Sequence, residues 1–254
     1  MSEPKQGNVS KKAEDFQSFN KYKFDGYNSY VSREWELFQT NGDRYGAFLA
    51  ATADLTVRSV LDVGCGSGQE MLPFIDKGAV GFGLDYVPET GQVGRRMYKE
   101  RNRDGRVAFV RGSGDALPLK DGSVDVVICR GAIMFMDNER ALSEFSRVLS
   151  KGGRLFLMFQ TPAYYWWKFR NGLIKGNLLS SVHAIRVLYA GMFFHITGRQ
   201  PQGRLTAGGE VYETAKYVVS TCERYGLRKI GEMPDTNPQT PYLIFKKTSA
   251  DATG

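Results

Sequence analysis

Nine residues, Val60-Leu61-Asp62-Val63-Gly64-Cys65-Gly66-Ser67-Gly68, leave this chain little choice of architecture. An apolar run closes on an acid, and glycines then take alternate positions. The run reads as a buried parallel strand, and the glycines as the turn that feeds a helix. Glycine there lets the backbone approach a ligand closely, and the helix start offers unpaired N–H groups to a polar ligand group. The spacing is D-x-G-x-G-x-G, which differs from the G-x-G-x-x-G turn that cradles a dinucleotide pyrophosphate.

Strands and helices alternate after this point. Strands are expected at 58–63, 80–85, 107–111, 124–129 and 153–159, with helices at 68–77, 91–102 and 138–149 between them. Such alternation predicts a parallel sheet with right-handed crossovers. A helix over 209–225, ending at Gly226, and closing strands at 227–232 and 242–247 complete the pattern as an edge hairpin. The fold class expected is α/β: a Rossmann-like, seven-stranded, mostly parallel sheet with an N-terminal helical cover and an inserted helical lid after the fifth strand. The divisions are a polar leader at 1–20, the cover at 21–55, the core at 56–160, the lid at 161–207, and the closing helix and strands at 208–254. Aromatics of the cover, Tyr27, Tyr30 and Trp35, either pack on the sheet or close over a ligand.

No run of about eighteen apolar residues is evident, so no membrane-spanning helix is expected, and residues 1–12 lack the apolar region of a signal peptide. Cys65, Cys129 and Cys222 lie far apart and follow no metal-binding spacing, so they read as buried fillers in a cytoplasmic protein. A formal charge of +7 permits an anionic partner without naming one.

Three further segments follow in order. Val80-Gly81-Phe82-Gly83-Leu84-Asp85 ends in an acid suited to a ribose diol, with Tyr86 beside it. Gly112-Ser113-Gly114-Asp115-Ala116-Leu117 follows the third strand, and Ser123-Val124-Asp125-Val126-Val127 and Arg147-Val148-Leu149-Ser150-Lys151-Gly152-Gly153 open the fourth and fifth. Together with the glycine turn, these motifs resemble the class I S-adenosylmethionine (SAM)-dependent methyltransferases, in particular the small-molecule family that includes the ubiquinone and menaquinone biosynthesis enzymes. The resemblance covers roughly residues 60–159. It implies SAM as cofactor and S-adenosylhomocysteine as product. It also implies Asp62 near the methionine ammonium, with Gly64, Cys65, Gly66 and Gly68 forming the turn against the methionine part. Asp85 and Tyr86 would take the ribose and adenine side, and Gly114, Asp115 and Ala116 the adenine, the Ala116 backbone reading a ring nitrogen. Arg130 would stand at the methionine end. Where the family often carries a histidine or an aromatic after the fourth strand, this chain reads Cys129-Arg130-Gly131-Ala132.

That departure moves the search for a general base elsewhere. The only histidines, His183 and His195, both lie in the lid, and each is a candidate base for an acceptor hydroxyl. The chain lacks the Asn/Asp-Pro-Pro-aromatic motif of amino-methylating DNA enzymes, the Pro-Cys of cytosine C5 enzymes, and an acid cluster for a metal. The lid contains no Asp or Glu but six cations, Lys168, Arg170, Lys175, Arg186, Arg199 and Arg204, among many aromatics. Three readings stay open for it: an ordinary helical cap, a pocket for an anionic or lipid-linked acceptor, and a peripheral membrane contact. The function expected is methyl transfer to a small molecule or saccharide, with oxygen favoured and nitrogen or carbon left open. The rivals are an RNA methyltransferase, which ranks low because no separate recognition domain is visible, and a non-catalytic SAM-binding or membrane-associated protein.

Overall fold

The computed structural model describes residues 35, 38, 42–201 and 209–248. Tyr27, Tyr30, Arg204 and the leader at 1–20 lie outside these residues. The elements are α1 (Gly42–Ala51), β1 (Ser59–Val63), α2 (Leu72–Asp76), β2 (Val80–Asp85), α3 (Pro88–Glu100), β3 (Val107–Arg111), β4 (Val124–Arg130), α4 (Asn138–Val148), β5 (Leu149–Met158), α5 (Pro162–Ile174), α6 (Leu178–Thr197), α7 (Ala215–Arg224), β6 (Leu227–Glu232) and β7 (Tyr242–Lys247).

The seven strands form one sheet in the order β3-β2-β1-β4-β5-β7-β6. β1 to β5 pair in parallel, while β7 runs antiparallel to both β5 and β6. The central strands are apolar on both faces, as a sheet covered by helices on each side requires. One core packs α4 and α7 through Leu142, Phe145, Val218 and Cys222. The other packs Trp35, Phe48, Phe74 and Tyr98 on the opposite face. Trp35 meets Tyr98 edge-on at 5.5 Å and carries the Arg101 guanidinium over its ring, so it serves packing. The three cysteines are buried and free.

The structure corrects several boundaries. The helix expected at 68–77 is a 3₁₀ turn at Gln69–Met71 followed by the short α2. β5 begins at Leu149 because Leu149 pairs with Val124 before the register shifts at Val126. The helix expected from residue 209 starts only at Ala215, where Thr214 caps it by accepting from the Tyr217 N–H at 3.2 Å. Residues 210–214 are an extended strap, and their acids turn inward. By length and composition α6 is long and apolar enough to cross a bilayer, and a third of it is buried inside the protein.

Candidate cofactor and acceptor site

Strand order reverses between β1 and β4, and ligands of open α/β sheets bind in the crevice beyond the carboxyl ends of the strands at that point. The glycine turn sits there. Its Gly64 and Cys65 N–H groups both donate to the Leu84 carbonyl, at 2.8 and 3.2 Å, which ties the turn to the end of β2. Asp85 completes the tie: Oδ2 accepts from the Gly66 N–H and Oδ1 from the Val87 N–H, both at 2.9 Å. Burial raises the Asp85 carboxyl, and the Val87 and Gly66 N–H bonds pull against that rise.

The glycines differ in purpose. Gly64 has φ +70°, and a Cβ on it would collide with Cβ of Ala132, so this glycine lets the segment after β4 press against the turn. Gly66 has φ +53°, and a Cβ there would meet no atom within 4 Å. Gly66 alone of the three turn glycines borders open space. Gly68 is crowded by Met71 and Phe109, and its carbonyl accepts the buried Tyr98 hydroxyl at 2.7 Å.

Beneath the turn lies a buried polar floor. Asp62 is 2% exposed, and its Oδ2 accepts no hydrogen bond. Burial pushes its carboxyl well above the usual range, the Glu70 and Asp85 charges add to the rise, and Arg130 opposes it. Glu70 Oε1 takes Arg44 Nη1 at 2.6 Å and Arg130 Nε at 3.7 Å, while Oε2 is buried without a partner. Arg44 also reaches Asp235 at 3.3 Å, which fastens α1 to the β6–β7 connection. The Cys65 thiol is pushed up by burial and stays protonated, so Cys65 contributes its backbone.

On the β2–β3 side, the Arg111 guanidinium stands 5.7 Å from the Tyr86 ring centroid. Gly114 is packed under Met136 and Val63, and a Cβ would come within 2.6 Å of each. Asp115 Oδ2 accepts a long bond from the Asp137 N–H at 3.4 Å. The Ala116 N–H, expected to read a ring nitrogen, closes a turn onto the Ser113 carbonyl at 3.2 Å.

The strap at 210–214 joins the lid to the same end of the sheet. Val211 N–H donates to the Met134 carbonyl just after β4, and Glu213 N–H to the Gln160 carbonyl just after β5. Glu213 is fully buried against the Asn138 amide, and burial raises its carboxyl well above the usual range. Glu210 turns the other way. Its Oε1 accepts from the Tyr165 hydroxyl at 2.7 Å, and its Oε2 lies 3.3 Å from His183 Nε2. Burial alone would raise Glu210, but His183, Tyr165 and Lys168 together bring it below the usual carboxylate range. His195 does not join this group. Its ring stacks on Tyr212 at 5.2 Å, Nε2 lies 3.3 Å from the Tyr212 carbonyl, and burial lowers its pKa.

Residues 61–157 match the family described as a methyltransferase domain. They form a class I methyltransferase domain. Among curated relatives, an uncharacterized methyltransferase, YcgJ of Bacillus subtilis, is 30% identical over 132 residues, covering 52% of this chain and 51% of that protein. A demethylmenaquinone methyltransferase of Thermus thermophilus is 34% identical over 136 residues, covering 47% of this chain and 61% of that enzyme. The chain thus spans about half the length of the curated relatives it matches. The crystal structure of Bacillus YcgJ aligns with a TM-score of 0.55 at 18% identity, over 81% of this chain and 98% of that one. The [4+2]-cyclase SpnF aligns with a TM-score of 0.57 at 17% identity, over 83% of each chain. These structural likenesses establish the fold, and the cyclase illustrates that this fold does not by itself fix the reaction.

Methyltransferases of this kind use SAM, and the residues of this domain fit it. A ligand ammonium would satisfy the unpartnered Asp62 oxygen, and the open flank of Gly66 provides room for a close approach. Asp85 is hydrogen-bonded to the Gly66 N–H, and its charge acts on Asp62 beneath the turn. Sequence reasoning missed Glu70 and Arg44 in the floor, and Tyr165 and Glu210 beside His183. The signal available for Glu210 was its position as the first acid after a long acid-free, basic segment.

Proposed function

We propose that the whole chain is a SAM-dependent methyltransferase acting on a hydroxyl of a small-molecule or saccharide acceptor, with His183 as general base and Glu210 as its positioning residue. The observation that carries this reading is the Tyr165–Glu210–His183 array, anchored through the strap to the carbonyl of Met134 after β4. SAM supplies an electrophilic methyl on a sulfonium when bound. Asp62 would hold its ammonium, the open side of Gly66 its methionine backbone, Asp85 its ribose, and Asp115 and Tyr86 its adenine. Arg130, beside Glu70, would face its carboxylate. A His183 Nε2–H donated to Glu210 leaves Nδ1 as the basic nitrogen, which would take the acceptor proton as oxygen bonds to the methyl. The Thermus relative named for demethylmenaquinone supports an apolar ring as part of the acceptor, and the aromatic lid supports the same class.

The test uses labelled SAM and the small-molecule fraction of a cell extract. His183→Ala should lower turnover by about 10²–10⁴-fold, the usual worth of a positioned base, with S-adenosylhomocysteine affinity unchanged. Glu210→Gln should lower kcat and shift the acid limb of the pH profile. Wild-type turnover in His183→Ala would refute the base assignment. Turnover that depends on added RNA would replace the acceptor class.

A further inference from the structure

The α5–α6 hairpin carries its bulk on the outside. At its tip, seven consecutive residues, 173–179, are all exposed, and four are aliphatic: Leu173, Ile174 at 80%, Leu178 and Leu179 at 85%. Along α6 the inward face is mostly small, with Ser181, Ala184, Ala190 and Gly191 buried. Its outward face presents Val182, Ile185, Tyr189, Met192 and Ile196 to solvent. A helix apolar on all sides is covered by protein or by lipid.

Charge selects between the two. Residues 161–207 hold no acid, and Arg170, Lys175 and Arg199 are exposed beside the aliphatic surface. A second copy docking hairpin to hairpin by two-fold symmetry would set cations against cations with no carboxylate of either hairpin between them. An anionic bilayer satisfies both the aliphatics and the cations. The half-exposed Trp166 and Trp167 suit the headgroup level of such a surface.

Helix length and packing suit a hairpin that lies on a bilayer, not one that crosses it. α5 has 13 residues, about 20 Å of helix, against a hydrocarbon core of about 30 Å. The inner face of α6 is already committed to the protein, through Ala184 and Val187 against Tyr165 and through Ala190 and Phe194 against Val211.

We propose that the hairpin is a monotopic anchor, its tip and the outer face of α6 sunk into an anionic leaflet. This proposal is independent of the base assignment, because docking is read without cofactor or acceptor. The full chain is floated with phosphatidylcholine vesicles, with and without phosphatidylglycerol. Flotation is expected with the anionic vesicles and should fall with added salt. The double variant Ile174→Glu/Leu179→Glu should weaken partitioning about a hundredfold, since two aliphatic side chains leave the apolar phase. Lys175→Glu should weaken it several-fold. Melting temperatures of all variants should match wild type, because these side chains face solvent. Absence of flotation with anionic vesicles at low salt would overturn the proposal. So would a lipid-free dimer that the double variant dissociates while vesicles stay unbound, an outcome that assigns the face to a second copy.

Discussion

Gly64 and Gly66 are two residues apart in one motif, yet their substitution should fail in different ways. Alanine at Gly66 must hold φ near +53°, which costs about 1–2 kcal/mol for a residue with a Cβ. Its methyl group otherwise meets nothing within 4 Å, so no packing penalty is added. For a domain of this size the melting temperature should fall by about 2–8 °C. The same methyl would stand in the space assigned to the cofactor, so S-adenosylhomocysteine affinity should fall at least about tenfold, or more than about 1.4 kcal/mol. Alanine at Gly64 carries a similar backbone cost and also collides with Ala132, adding about 1–3 kcal/mol of overpacking. The melting temperature should then fall by roughly 4–20 °C. The double variant Gly64→Ala/Ala132→Gly should recover the overpacking part and leave the backbone part. Calorimetric titration and thermal unfolding, run on all three variants, separate the two effects. Gly66→Ala with wild-type affinity would refute the claim that the open flank of the turn is cofactor space.

Other consequences follow from the buried charges and close contacts. Asp62 has a raised carboxyl that an ammonium would draw back down, so S-adenosylhomocysteine binding should release protons, and affinity should weaken as pH falls. Calorimetry in two buffers of different ionisation enthalpy checks this, and Asp62→Asn should abolish the release. Glu210 has a lowered carboxyl, so its contribution to stability is present above the ordinary glutamate value of about 4.3 and is lost as pH falls through its folded value. Glu210→Gln should therefore flatten the acid side of the stability curve. Tyr98→Phe removes the hydroxyl that holds the Gly68 carbonyl and should cost about 1 kcal/mol, measurable by urea unfolding. Gly191→Ala would drive a methyl into the Tyr212 ring, and limited proteolysis should then cut the hairpin faster than in wild type.

The readable parts of this molecule are those whose chemistry is local in the chain. β1, the glycine turn and the acid ending β2 belong to one strand–turn–helix–strand passage, and their roles follow from alternation, positive φ and a fixed interval. Glu70 escaped because a glutamate in the first turn after a glycine loop looks like any solvated acid, and its partner Arg44 lies 26 residues earlier. Tyr165 and Glu210 are 45 residues apart, joined only once the lid folds back over the sheet. Residues 209–214 run into α7 without a break in composition, so they read as its first turns. Pairing of Glu210 with Tyr165 and His183, and of Glu213 with Asn138, holds them outside the helix instead. The Ala116 N–H closes a local turn onto the Ser113 carbonyl that no composition rule announces.

Glu210 belongs to the strap, whereas His183 rides on the lid. The two elements also hold each other elsewhere: the Tyr212 ring stacks on His195 and lies against Gly191, and Val211 packs with Ala190 and Phe194. On the proposed reading, carboxylate and imidazole would then travel as one body, so whatever admits an acceptor would leave the base aimed as it was.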